Sequence, residues 1–175
     1  MDTLSDEDKK RVHGILKSVF DGVLDKVKVI ERLSESLENQ MSIINPKVID
    51  HLKNKCSNEF AWLEKNGKMS EKNGEIGLEI IDEAKPEAEK FFQKWEACTS
   101  SNDFGLKKHF LDIEDKTAKL QKDNEACINS CLKSMNVEDK ILFSCFSSCI
   151  NNFFDSSKVI MESSLGHIRS IDSKL

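Results

Sequence analysis

The chain has 175 residues, 38% of them hydrophobic and 33% charged, with a formal net charge of −5. That length suits one domain around one core, and the excess of acid over base excludes a protein drawn onto nucleic acid by charge. Seven Gly and two Pro disfavour an all-β sandwich, collagen and Pro-rich disorder, and the apolar runs are too short for a transmembrane segment.

Residues 5–44 read as one long amphipathic helix. Val12, Ile15, Leu16, Val19, Phe20, Val23, Val27, Ile30, Leu33, Leu37, Met41 and Ile44 recur at steps of three and four, the period of a single helix face. Ser5 with Asp8 makes a loose capping box, and the acidic first turn suits the helix dipole. Gly14 and Gly22 each weaken the helix by ~1 kcal/mol relative to Ala. Asn45-Pro46 then restarts the chain, with Pro46 suited to a first helical position. The second helix carries Ile49, Leu52, Cys56, Phe60 and Leu63 on one stripe, with Trp62 beside it, and stops at Asn66-Gly67. Residues 66–74 read as a loop.

A third helical stretch covers about 75–98, with Ile76, Ile80, Ala84, Ala88, Phe91, Phe92 and Trp95 as its apolar face. Pro86 splits or kinks it near Lys85. Residues 99–103 read as a second loop. The fourth helix, about 104–135, places Leu106, Phe110, Ile113, Leu120, Asn124, Cys127 and Cys131 on one seam. After a break at Asn136-Val137, the fifth runs over about 138–171 with Leu142, Cys145, Phe146, Cys149, Phe153, Ile160 and Ile168. No segment alternates with period two for long enough to make a strand, and no repeat is evident. The expected fold is a single all-α domain over residues 1–175, an elongated bundle of about five helices with a disulfide-stapled C-terminal hairpin.

Six cysteines, an even count, point to three disulfides and an oxidising compartment. The last four form two CxxxC pairs, Cys127/Cys131 and Cys145/Cys149, separated by 13 residues. A spacing of four puts each pair on one helix face. Folding the two helices back on each other about residue 138 sets Cys131 level with Cys145, and Cys127 level with Cys149. The alternative interhelix pairing is offset by a helical turn, roughly 6 Å along the axis, against a disulfide's Cα–Cα tolerance of ~4.4–6.8 Å. The expected bridges are therefore Cys127–Cys149 and Cys131–Cys145, with Cys56–Cys98 by elimination. A Cys₄ zinc site is the competing reading, but structural zinc favours CxxC knuckles over helical CxxxC, so no metal is expected. The polar, acidic N-terminus resembles neither a signal nor a transit peptide, and with these cysteines it reads as a mature secreted form carrying an initiator Met. Lysine far outnumbers arginine, a bias compatible with an AT-rich invertebrate or parasite genome.

The twin CxxxC spacing from Asp123 to about Ser164 resembles the hairpin of the small Tim chaperones of the mitochondrial intermembrane space. That likeness implies nested disulfides and capture of hydrophobic precursors between helices. The chain is about twice the length of those chaperones, which have no counterpart to residues 1–100. The run of long amphipathic helices looks like the exchangeable apolipophorins of insect haemolymph, which implies lipid carriage. The cysteine-stapled, all-helical build is similar to salivary proteins of blood-feeding arthropods, including the helical domain of mosquito collagen-binding, anti-platelet proteins, which implies inhibition of a host protein.

Catalytic motifs are missing: no Gly-x-Ser-x-Gly, P-loop, Gly-rich dinucleotide turn or His-Glu-x-x-His occurs. An enzyme and a cofactor are accordingly not expected. The ten Phe offer more. Phe143, Phe146, Phe153 and Phe154 surround the second CxxxC pair, and Phe91, Phe92 and Trp95 precede Cys98. Adjacent Phe153 and Phe154 diverge by about 100° on a helix, so these side chains either fill a two-sided core or line a hydrophobic site. The functional expectation is a secreted, non-enzymatic protein-binding effector, such as a salivary inhibitor of a host haemostatic or immune protein. The alternatives are a carrier of a lipid or small hydrophobic ligand, and a small-Tim-like chaperone. A closed cavity lined by Phe favours the carrier; a solid core with an exposed patch favours the binder.

Overall fold

The computed structural model describes residues 5–72, 75–134 and 136–175, with side chains outside 69–77. It is all-α and stapled by disulfides, as the periodicity predicts, with six α-helices among the described residues. These are α1 (Asp6–Gly22), α2 (Leu24–Lys55), α3 (Ser57–Asn66), α4 (Lys85–Asn102), α5 (Leu106–Lys133) and α6 (Asp139–Asp172). A short strand pair, β1 (Gly67–Lys72) and β2 (Glu75–Ile80), and a 3₁₀ turn over Asp82–Ala84 separate α3 from α4.

The chain packs as two compact units. One comprises the residues up to Met41 with Phe110–Arg169, and the other comprises Ser42–His109 with Ser170–Leu175.

In the first unit, α1 begins where Ser5 Oγ accepts the Asp8 N–H at 3.1 Å, which satisfies one of the free donors of the first turn. Val12, Ile15, Val19 and Val23 are buried, and they form one core with Cys131 of α5 and Leu142, Phe146, Cys149 and Ile150 of α6. The single helix expected over 5–44 breaks at Val23, whose φ of −111° and ψ of 7° leave helical space. Gly22 is a poor helix former, and the turn at Val23 puts that side chain into the core. Arg11 joins α1 to the start of α6: its Nε donates to Asp139 Oδ1 at 2.6 Å and its Nη2 to the Val137 carbonyl at 2.5 Å.

In the second unit, the break expected at Asn45-Pro46 does not occur: α2 runs through Pro46. Pro46 gives no N–H to the Ser42 carbonyl and costs a helix ~3 kcal/mol. Continuing the helix keeps Ile44 and Val48, one turn apart and buried, on the same face, and their burial at about 1.5–3 kcal/mol each offsets that cost. The Lys47 ammonium, 2.5 Å from Asp172, ties α2 to the end of α6.

The loop expected at 66–74, and the helix expected to start at Glu75, are instead an antiparallel ladder from Gly67↔Ile80 to Lys72↔Glu75. Asn73 and Gly74, inside that expected loop, lie outside the described residues. The ladder is anchored at Asn66, which is buried, donates from Nδ2 to the Trp62 carbonyl and accepts the Ile81 N–H at 2.9 Å. Gly67 is required here, because a Cβ would sit 2.7 Å from the Leu63 carbonyl oxygen and 2.9 Å from Leu78 Cδ1. Pro86 does split the third stretch, taking its place in the first turn of α4.

The loop expected at 99–103 is helical as far as Asn102. Thr99, Ser101 and Asn102 donate from their side chains to the carbonyls of Trp95, Ala97 and Cys98, so their polar groups support the last turn rather than breaking it. The chain then reverses at Phe104 (φ 56°) and Gly105 (φ 73°). Asp103 closes that turn by accepting the Gly105 and Lys107 N–H groups at 2.8 and 3.1 Å. The end of the fourth helix expected near Met135 falls at Lys133, and Met135 lies outside the described residues.

Phe146 is 0% exposed and Val159, on the same helix, is 64% exposed. Phe146→Ala is expected to lower the unfolding free energy by about 3–5 kcal/mol, and Val159→Ala by less than ~0.5 kcal/mol. Denaturant melts followed by circular dichroism check this. Equal losses for the two would place the core elsewhere.

Candidate binding surface

The site is built on the cysteines. Spaced by one turn on α5 and on α6, they pair as Cys127–Cys149 and Cys131–Cys145, each with Cα atoms 5.8 Å apart. This is the level pairing that the helical geometry selects. Cys56–Cys98, with Cα atoms 6.0 Å apart, joins the start of α3 to α4 in the second unit. Three of the hairpin sulfurs lie within 4.8 Å of one another, but all belong to disulfides and offer no thiolate to an ion. The Cys₄ zinc alternative is not the arrangement seen.

The seven aromatic candidates separate by burial. Phe146 and Phe91 are interior. Phe153 and Phe154 are half-buried and meet edge to face at 5.7 Å, with Phe154 packed against the core. Phe143 and Phe92 are surface residues, 40% and 45% exposed. Trp95 is half-buried against Phe60, with ring centroids 4.8 Å apart. Of the ten Phe, only Phe91 and Phe146 are buried, while Phe20, Phe92, Phe110 and Phe143 are exposed, Phe143 being the exposed one next to the hairpin staples in sequence.

Phe143 borders a groove of about 390 Å³ between α1 and α6. Gly14, Ile15 and Ser18 form one wall, and Lys10, Arg11, Asp139 and Lys140 the charged rim. Arg11 is committed to Asp139 and to the Val137 carbonyl, while Lys10 and Lys140 are exposed. On a chain of net charge −5, this rim carries three cations against one anion.

Two further grooves flank α6. One, about 520 Å³, lies against α5, with Leu120, Val159 and Ile160 as its apolar part and Lys116, Lys119, Asp123 and Asp155 around it. The other, about 250 Å³, lies against α2, with Val29, Ile30 and Phe154. Asp155 borders both and pairs with Lys26 at 2.6 Å.

In the second unit, Trp62 stacks on Phe91 at 4.0 Å beside a groove of about 420 Å³ edged by Glu59, Glu87, Lys90 and Lys94. In the same unit, the hydrogen bond and charge of Lys85 hold the Asp82 carboxyl below its ordinary value, with both groups exposed in the first turns leading to α4.

Lys10, Lys140, Val159 and Trp62 were not singled out from sequence as site residues. Val159 precedes Ile160 of the apolar stripe of α6 by one position, and Trp62 stands off the stripe of its helix. For Val159 and Trp62 those misfits with the periodicity are the signal; Lys10 and Lys140 carry none.

No family model, curated protein or solved structure matches the chain. The fold and its staples define it as an all-α, disulfide-stabilised protein.

Asn124 lies one turn before Cys127, with its Oδ1 buried and without a hydrogen-bond partner, which costs roughly 1–3 kcal/mol. Asn124→Leu is expected to raise the unfolding free energy by about 1 kcal/mol in a urea titration. A loss instead would show that the amide is satisfied in solution.

Proposed function

We propose that the protein is a secreted, non-enzymatic binding protein that acts by occupying another extracellular protein, with the Phe143 groove as its contact surface. The observation that carries this reading is the contrast between Phe146 and Phe143. The former is sealed in a solid core and the latter is exposed, three residues away on a helix that two disulfides hold in place. A carrier needs its aromatic residues around an enclosed volume, whereas here Phe146 is core, Phe153 and Phe154 are half-buried and Phe143 is turned outward. Rigidity favours binding because little conformational freedom is lost on contact. An exposed aromatic ring in a cationic rim has the form of an anchor residue. Three disulfides fit an oxidising, extracellular compartment. Suppression of a host haemostatic or immune protein, from saliva or another secretion, is the form of this activity that the stapled helical build suggests.

Native mass spectrometry of the protein recovered from its natural source tests the reading, combined with lysine cross-linking. The expected mass is six hydrogens below that of the reduced chain, with cross-links from Lys10 and Lys140 to a second polypeptide. A fully reduced chain would overturn the secreted reading. A retained hydrophobic molecule without a polypeptide partner would make the protein a carrier, and a ring-sized homo-oligomer would favour a chaperone.

A further inference from the structure

The two staples of the hairpin touch. Cys131 Sγ lies 3.7 Å from Cys149 Sγ. Both sulfurs are oxidised, in different disulfides, so neither carries a hydrogen and this is a van der Waals contact between the bridges. Burial divides the same four residues in another way. Cys131 and Cys149 are 1% and 3% exposed, while Cys127 and Cys145 are only half-buried. Each staple thus joins one half-buried cysteine to one sealed cysteine, and the sulfurs of the two sealed cysteines are the pair in contact.

Thiol–disulfide exchange proceeds by attack of a thiolate on one sulfur while the other leaves as a thiolate. A small monothiol reaches Cys127 or Cys145 before the sealed sulfurs, so the leaving thiolate is Cys149 or Cys131, already against the neighbouring bridge. We propose that the hairpin reacts with a monothiol as one four-sulfur unit. Whichever staple is attacked, the first two-electron reduction ends in a buried Cys131–Cys149 bridge with Cys127 and Cys145 as thiols.

The steps balance from either side. Attack on Cys127 forms a mixed disulfide there and expels the Cys149 thiolate. Cys149 attacks Cys131, forms the new bridge and expels the Cys145 thiolate. A second monothiol attacks its own kind on Cys127, leaves as the oxidised dimer and frees the Cys127 thiolate. Entry at Cys145 runs the same sequence through Cys131, which attacks Cys149 and expels Cys127. In both routes two monothiols are oxidised to one disulfide, one protein disulfide is lost in net, and the freed thiolates take protons from solvent. The contact makes the middle step intramolecular, which favours it over attack by a further external thiol.

Only one diagonal forms. Level partners have Cα atoms 5.8 Å apart, and a diagonal partner is four residues further along, about 6 Å. A disulfide accepts Cα atoms up to ~6.8 Å apart, so bridging Cys131 to Cys149 slides α5 along α6 in one sense. Bridging Cys127 to Cys145 needs the opposite sense, so those two remain thiols. The device keeps the hairpin cross-linked, shifts its register and creates a surface dithiol.

The oxidised full chain is incubated with increasing glutathione until half of the hairpins carry two alkylated cysteines after quenching with excess N-ethylmaleimide, then mapped at acidic pH. The expected two-label hairpins carry label on Cys127 and Cys145, with the Cys131 and Cys149 peptides still joined. Labels on Cys127 with Cys149, or on Cys131 with Cys145, would show that the staples open independently and overturn the proposal. Four-label hairpins accumulating with no two-label form would overturn it as well.

Discussion

The cross-link between α5 and α6 is the constraint on which the first unit depends. In the 28 residues of α5, Cys131 is the one buried residue among those described. A helix that buries so little apolar surface gains little from the hydrophobic effect. The staples compensate: they span 14 and 22 residues, loops for which chain-entropy arguments give roughly 3 kcal/mol each. Once α5 is held, its cysteine sulfurs serve as core material, and Val12, Ile15 and Val19 of α1, with Val23 just after it, close the other side. Covalent bonds here take the part that a wider apolar seam takes in an unstapled bundle.

The second unit uses the same economy with different chemistry. Cys56 is fully buried and bonded to Cys98, and around that bridge the stabilising surface is aromatic. Phe91 touches Trp62, Phe92 and Trp95. Aromatic contacts of this kind contribute ~0.5–1.5 kcal/mol each beyond area burial. Asn66 adds a polar joint, satisfying its own amide donor within α3 while its carbonyl receives the chain returning from β2. A short strand pair is marginal alone, and it is held here by the close approach of Gly67 to Leu63 and Leu78.

Much of this was legible in the sequence because helical period and cysteine spacing both translate into distance. Cys127, Cys131, Cys145 and Cys149 define their own pairing once two helices are assumed to reverse about residue 138. The helix starts at Ser5 and near Pro86 were readable from capping chemistry. The misses occur where tertiary burial outweighs local preference. Pro46 marks a helix start by its backbone, yet Ile44 and Val48 hold the helix together across it. Val23 fits the helical stripe but is buried by leaving the helix. Ile76 and Ile80 are four apart and read as a helix face, although Ile76, Leu78 and Ile80 also alternate, and the Asn73-Gly74 pair ahead of them is a hairpin sequence. For the Phe residues, periodicity identifies helices with apolar character on two sides but not which side meets solvent, so Phe143 and Phe146 became distinguishable only through the packing of α1.

Asp155 stands on the ridge of α6 between the groove toward α5 and the groove toward α2, held to the second by Lys26. One carboxylate is thus shared by two concavities on opposite flanks of a rigid helix. The two concavities have one anionic group in common, so a substitution at Asp155 alters the charge of both.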